Sequence, residues 1–179
     1  MSTKYTLATM YGAGLAKKAP GTVGSFVAAI LAYPILLQPD GWRWLLLGAA
    51  LLTIFGTMNA ERYMRTHKTY HDPSEIVVDE WAGQWLTYAL FPAYSVWLGE
   101  STPSSMMLAT QAQVLTHVIC GFVMFRIFDI LKPWPISLAD RKVGGGFGVM
   151  LDDLLAAAPA AVATFAADMY LRTIIQPFV

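Results

Sequence analysis

The chain has a single cysteine, Cys120, among its 179 residues. One thiol cannot close an intramolecular disulfide, and it cannot build a cysteine-based metal cluster. Charge is scarce as well. Lys, Arg, Asp and Glu make up 13% of the residues, against roughly 25% in an average soluble domain. The charges cancel to a formal net of +0, so no basic excess points to nucleic acid as a partner. The opening segment, MSTKYTLATMYGAG, lacks the charged-then-apolar pattern of a signal peptide, and no cleaved leader is expected. Internal repeats and low-complexity tracts are missing. The composition is instead apolar: hydrophobic residues reach 56%, with a mean hydropathy of +0.48. That balance predicts a membrane protein, and the length suits one domain over residues 1–179.

A helix that crosses a bilayer needs roughly 20 mostly apolar residues. Five stretches are predicted as spans. They run from about Gly24 to Leu37 with Pro34 inside, from Trp44 to Met58, from Trp81 to Leu98, from about Gln113 to Phe125, and from about Leu154 to Ile175. The first and fourth are short for a full crossing. Backbone polar groups in lipid must be satisfied within their own segment, so the spans should be helices. The expected fold is an all-α polytopic membrane helical bundle of about four to five membrane-embedded helices, with polar loops and short helices on one face.

Five crossings sort the charges by side. Lys4, Lys17, Lys18, Arg62, Arg65, Lys68, Arg126, Lys132, Arg141 and Lys142 fall on one side, and only Arg43 and Arg172 on the other. The positive-inside rule assigns the first side to the cytoplasm. Glu61, Asp72, Glu75, Asp79, Glu80, Asp129, Asp140, Asp152 and Asp153 gather there too. Separate loops thus deliver acid, base and glycine to one membrane face, and that convergence is the main sequence evidence for a site.

Four segments carry the chemistry. The first, from Gly12 through Lys17, Lys18, Pro20, Gly21 and Thr22 to Ser25, fits two readings. It is either a phosphate cradle of glycines, lysines and hydroxyls, or a Pro-Gly turn with a Ser/Thr cap before a span. The second, around IVVDEWAGQW at 76–85, places Asp79 and Glu80 at the mouth of a helix. One acid there complements the helix dipole. A second, with Asp72 and Glu75 upstream, asks for a hard divalent cation such as Mg²⁺. In the third, Arg126, Asp129 and Lys132 recur every three residues. A helix reaching that far would let Arg126 and Asp129 pair, and Pro133 should end it near Lys132. Either a structural pair with a snorkelling lysine or a phosphate clamp beside a metal ligand fits this pattern. The fourth, GGGFGVMLDD at 144–153, is expected to be a glycine loop with Asp152 and Asp153 opening the next helix.

Other signals carry less. His67 and His71 have i, i+4 spacing but no third zinc ligand, and they are expected on the surface. Cys120 and Arg126 match a C-x₅-R spacing, yet the residues between are apolar and helical, so Cys120 is expected to be buried and inert. His117 is expected to be a packed or interfacial residue. Trp81, Trp85 and Trp134 are expected to mark the membrane interface.

Taken together, KAPGTVGS at 18–25, DPSEIVVDEWAGQW at 72–85, FRIFDILKPWPI at 125–136 and GGFGVMLDDLLA at 145–156 resemble the phosphatidylglycerophosphatase A family of bacterial membrane lipid phosphatases. The resemblance covers most of the polar face of the chain. It implies an all-helical fold and Mg²⁺-dependent conversion of phosphatidylglycerophosphate to phosphatidylglycerol and phosphate at the cytoplasmic face of the inner membrane. It places metal-binding acids at Asp79, Glu80, Asp129, Asp152 and Asp153, and basic residues at Arg126 and Lys132. The phosphate is then expected to meet Lys18, Thr22, Ser25, Arg126 and Lys132. A carboxylate outside the metal shell, Asp129 or Asp79, is expected to orient the attacking water. The bilayer and the lipid substrate are the expected partners, without an obligate protein partner. A transporter would place its charges mid-span, and a scaffold would need no crowd of acids.

Overall fold

The computed structural model describes residues 7–68, 73–97 and 111–175. Lys4, His71 and Asp72 therefore lie outside the described residues. Among the described residues there are helices and turns but no strand. A 3₁₀ segment at Met10–Leu15 leads into α1 (Pro20–Leu36), α2 (Gly41–His67), α3 (Val78–Trp97), α4 (Gln111–Leu131), the short α5 (Ile136–Lys142) and α6 (Gly145–Ile175).

Local chemistry sets several of these boundaries. Pro20 lies in the first turn of α1, where its missing N–H is no loss. The Pro-Gly pair therefore starts the helix and makes no turn before it. Thr22 and Ser25 lie inside the helix, and no side chain caps its start, which corrects the reading of a Ser/Thr cap. The helix α4 continues through the charged residues to Leu131, so the stretch predicted as short is 21 residues long. It stops where Pro133 disfavours helical backbone at Lys132, which takes φ 40°.

The glycine run behaves differently from expectation. The helix α6 already begins at Gly145, so Asp152 and Asp153 stand about two turns inside it and do not open it. Packing explains this. A Cβ at Gly146 would stand 2.3 Å from Thr57 O of α2, and one at Gly148 would stand 2.1 Å from Val143 O. Only bare backbone lets the first turn press that closely on its neighbours. The Gly146 N–H donates to Glu61 Oε2 at 2.8 Å, which satisfies one of the open donors at the helix start.

Among the described residues, α2, α4 and α6 as far as Leu171 are long and apolar enough to cross a membrane, and α1 is a shorter apolar helix. The helix α3 is not among the three. It is the interior helix, packed against α1, α2, α4 and α6. Small residues permit the close approach expected of helices in lipid. A Cβ at Gly48 of α2 would collide with the Trp85 ring, and one at Gly121 of α4 with the Tyr88 ring. Trp85 Nε1 also donates to Ala28 O of α1 at 3.0 Å. Trp81 is buried and Trp85 half-buried, so neither marks the interface, whereas Trp134 is exposed.

The outer surface is apolar. Trp44, Leu47 and Ile54 of α2, Ile119 of α4 and Val162 of α6 all face outward. A continuous apolar exterior of this kind is unfavourable in water and suits lipid. The chain is an all-α membrane helical bundle. Successive long helices alternate in direction, so the starts of α1, α3 and α6 meet the ends of α2 and α4. Lys17, Lys18, Arg62, Arg65, Lys68, Arg126, Lys132, Arg141 and Lys142 lie at or near that end, and Arg43 lies at the other.

Candidate active site

Asp79 and Glu80 enter the protein because of what precedes them. Ile76, Val77 and Val78 are buried in the core, and the Val77 N–H donates to Ala8 O at 2.9 Å. Anchoring this apolar run draws the first turn of α3 inward, and Asp79 is left only 5% exposed. Glu80 packs on the backbone of α1. A Cβ on Gly21 would stand 2.0 Å from Glu80 Oε1, so the absence of a side chain at position 21 is what makes room for the carboxylate.

The end of α4 supplies a cation. Arg126 Nη1 bonds Asp129 Oδ2 at 2.5 Å across one helical turn, and it donates to Ser25 Oγ of α1 at 3.3 Å. Ser25 is wholly buried and donates in turn to Gly21 O at 2.9 Å. Lys132, just past the end of α4, forms an ion pair with Asp152 of α6. The two adjacent acids of α6 therefore diverge. Asp152 turns to Lys132, while Asp153 turns to Asp79 and Glu80 of α3 and shares a side-chain hydrogen bond with Asp129 of α4.

Carboxylate oxygens of Asp79, Glu80 and Asp153 lie within 4.8 Å of one another. Glu80 Oε2 and Asp153 Oδ2 are buried without a hydrogen-bond partner. Burial raises the Glu80 carboxyl above the ordinary carboxylate range; nearby Asp129 adds to the rise, and Asp79 and Arg126 oppose it. So many acids in a dry space are short of positive charge. The donor set is all oxygen, which fits a hard divalent cation, and the trio is able to hold a metal ion.

The structure thus brings Asp79, Glu80 and Asp153 into one cluster, flanked by the Arg126–Asp129 and Lys132–Asp152 pairs. Lys18 is exposed ahead of α1, Thr22 is half-buried in the first turn of α1, and Ser25 faces Arg126. His67 is exposed, as read from the sequence. Cys120 is half-buried inside α4, so the C-x₅-R spacing lies on helical backbone whose N–H groups are already committed. Gln84, one turn after Glu80 and fully buried, escaped sequence reading because one amide in an apolar aromatic segment carries no pattern. The buried bond from His117 Nδ1 to Asp168 Oδ2 at 2.6 Å, between α4 and α6, also escaped it. Asp168 was visible near the end of the last span, but nothing in the spacing paired it with His117.

The fold and this cluster define an all-helical membrane protein with an acidic, cation-flanked site at the charged end of its bundle. The family model described as phosphatidylglycerophosphatase A matches residues 6–168. A phosphatidylglycerophosphatase A of Haemophilus influenzae is 34% identical over 167 residues, covering 93% of this chain and 90% of the relative. One of Escherichia coli is 34% identical over 152 residues, covering 85% and 76%. A protein of Bacteroides thetaiotaomicron, for which phosphatidylinositol-3-phosphatase activity has been proposed, is 32% identical over 152 residues, covering 84% of each chain. No solved structure matches the chain. The chain belongs to the phosphatidylglycerophosphatase A family, and it is an enzyme, a phosphatase that acts on a lipid.

Proposed function

We propose that the protein hydrolyses the phosphomonoester of phosphatidylglycerophosphate, with Mg²⁺, at the cytoplasmic face of the inner membrane, as one domain without an obligate protein partner. The observation that carries this reading is the cluster of three carboxylates within 4.8 Å, set beside Arg126 and Lys132 at the end of membrane-spanning helices. A lipid lying along the apolar exterior would keep its acyl chains in the bilayer and present its phosphate at that end. The excess of Lys and Arg there supports a cytoplasmic orientation.

Asp79, Glu80 and Asp153 would hold the cation, which when bound would withdraw charge from the phosphoryl oxygens. Arg126 and Lys132 bind the remaining phosphate oxygens, the guanidinium through its planar fork. Ser25 fixes Arg126 from α1, and Asp152 fixes Lys132 from α6. Asp129 stands outside the trio and acts as general base, taking a proton from the attacking water. The water oxygen bonds to phosphorus as the bond from phosphorus to the glycerol oxygen breaks. That oxygen leaves as the alcohol of phosphatidylglycerol with a proton drawn from solvent, and inorganic phosphate remains. Thr22 and Lys18 lie along the approach of the anion.

The test is phosphate release from phosphatidylglycerophosphate, compared with phosphatidate, lysophosphatidate and phosphatidylinositol 3-phosphate, with Mg²⁺ or with EDTA. Chelation should abolish turnover. Asp79→Asn and Asp153→Asn should each lower kcat/KM by about 10²–10³-fold with the fold retained. Unchanged activity in both variants removes the site. A higher kcat/KM on another lipid phosphate changes the substrate and leaves the site standing.

A further inference from the structure

The proposed mechanism does not use Gln84, and its surroundings are unusual. The residue is fully buried, and neither Nε2 nor Oε1 has a hydrogen-bond partner among the described residues. A primary amide in an apolar interior with nothing to bond is an unfavourable arrangement, and an aliphatic side chain would fill the space without that penalty. The residue is placed next to the site. Gln84 follows Glu80 by four positions on α3, so the two share a helix face. Long side chains on a helix lean back toward its N-terminus, which carries the Gln84 amide toward Glu80. Glu80 Oε2 is itself buried without a partner. A donor and an acceptor, both unsatisfied, thus stand one turn apart on the same face.

We propose that Gln84 is a positioning residue for the carboxylate cluster. Its Nε2 donates to Glu80 Oε2 and so presents Glu80 Oε1 to the cation, a bond that the present rotamers leave open. Partners of this kind fix the orientation of metal-binding carboxylates and raise metal affinity. The inference rests on the reading of Asp79, Glu80 and Asp153 as a cation site, and it adds to that site an uncharged residue from the same segment that carries Asp79 and Glu80.

The experiment titrates Mn²⁺, as a spectroscopic stand-in for Mg²⁺, into the full-length detergent-solubilised protein. Electron paramagnetic resonance reports free Mn²⁺, and thermal unfolding is measured without metal. In Gln84→Met the amide is lost and the volume is kept. Mn²⁺ should then bind about 10–100-fold more weakly, while the metal-free Tm holds or rises because an unmatched buried amide is gone. Gln84→Leu gives a second reading if the Met variant fails to fold. Mn²⁺ affinity within about twofold of wild type in a folded variant overturns the assignment, because a merely packed glutamine would give that result. If wild type itself binds no Mn²⁺, the cation site falls and the assignment falls with it.

Discussion

Adding one methyl group at Gly21 tests whether the site depends on the position of Glu80. The new Cβ would stand 2.0 Å from Glu80 Oε1, 3.1 Å from its Cδ and 3.5 Å from Arg126 Nη1, where ordinary van der Waals contact begins at 3.4 Å. The guanidinium can stay in place, but the carboxylate must withdraw by roughly 1.4 Å, a misplacement of the size that costs about 10²-fold in rate. Gly21→Ala should therefore lower kcat/KM about 10²-fold, equivalent to about 2.7 kcal/mol of transition-state stabilisation. Stability should change little. The obstacle is the end of a flexible side chain, and alanine is favoured over glycine within a helix by about 1 kcal/mol. Phosphate release under saturating Mg²⁺ and thermal unfolding in detergent read the two effects separately. Two other glycines serve as controls. Gly144→Ala meets nothing within 4 Å and should behave as wild type. Gly24→Ala meets Val77 Cβ at 2.9 Å, an atom fixed to the backbone, and should cost about 1–3 kcal/mol of stability. Wild-type turnover by Gly21→Ala would show that the site does not need Glu80 where the structure puts it.

Two further outcomes are expected. Lys132→Met strips Asp152 of its ammonium partner and removes a phosphate-binding cation, so kcat/KM should fall about 10²-fold; retention of full activity would limit the Lys132–Asp152 pair to a structural role. In a Cys120→Ala background, a membrane-impermeant maleimide applied to intact cells should label Asp40→Cys before α2 and should reach Lys68→Cys after α2 only once the cells are permeabilised. Both positions are exposed, and the opposite pattern overturns the cytoplasmic orientation.

Much of the fold was legible because lipid imposes a simple rule. Apolar length and low charge predict helices, and the positions of the twelve Lys and Arg residues predict which ends share a face. Spacing alone showed that Arg126 and Asp129 could pair on a continued α4, that Pro133 would end it, and that Asp79 and Glu80 would open α3. These are local properties, set by the 3.6-residue period and by proline stereochemistry. The chemistry-bearing segments were legible too, because acids and bases clustered in an apolar chain stand out against their background.

Tertiary structure decided which groups meet. Asp152 and Asp153 look alike in sequence, yet one pairs with Lys132 and the other joins Asp79 and Glu80, because adjacent helical residues point about 100° apart and α6 packs against both α3 and α4. The start of α6 at Gly145 followed from its close contact with α2 and Val143, which no local propensity reveals. Gly21 makes room for Glu80 only because α1 crosses α3 at that residue, and Gln84 gains its significance only from being fully enclosed. The linear pattern sets each helix's extent and phase, but burial and contact between segments far apart in the chain depend on the packing of the whole bundle.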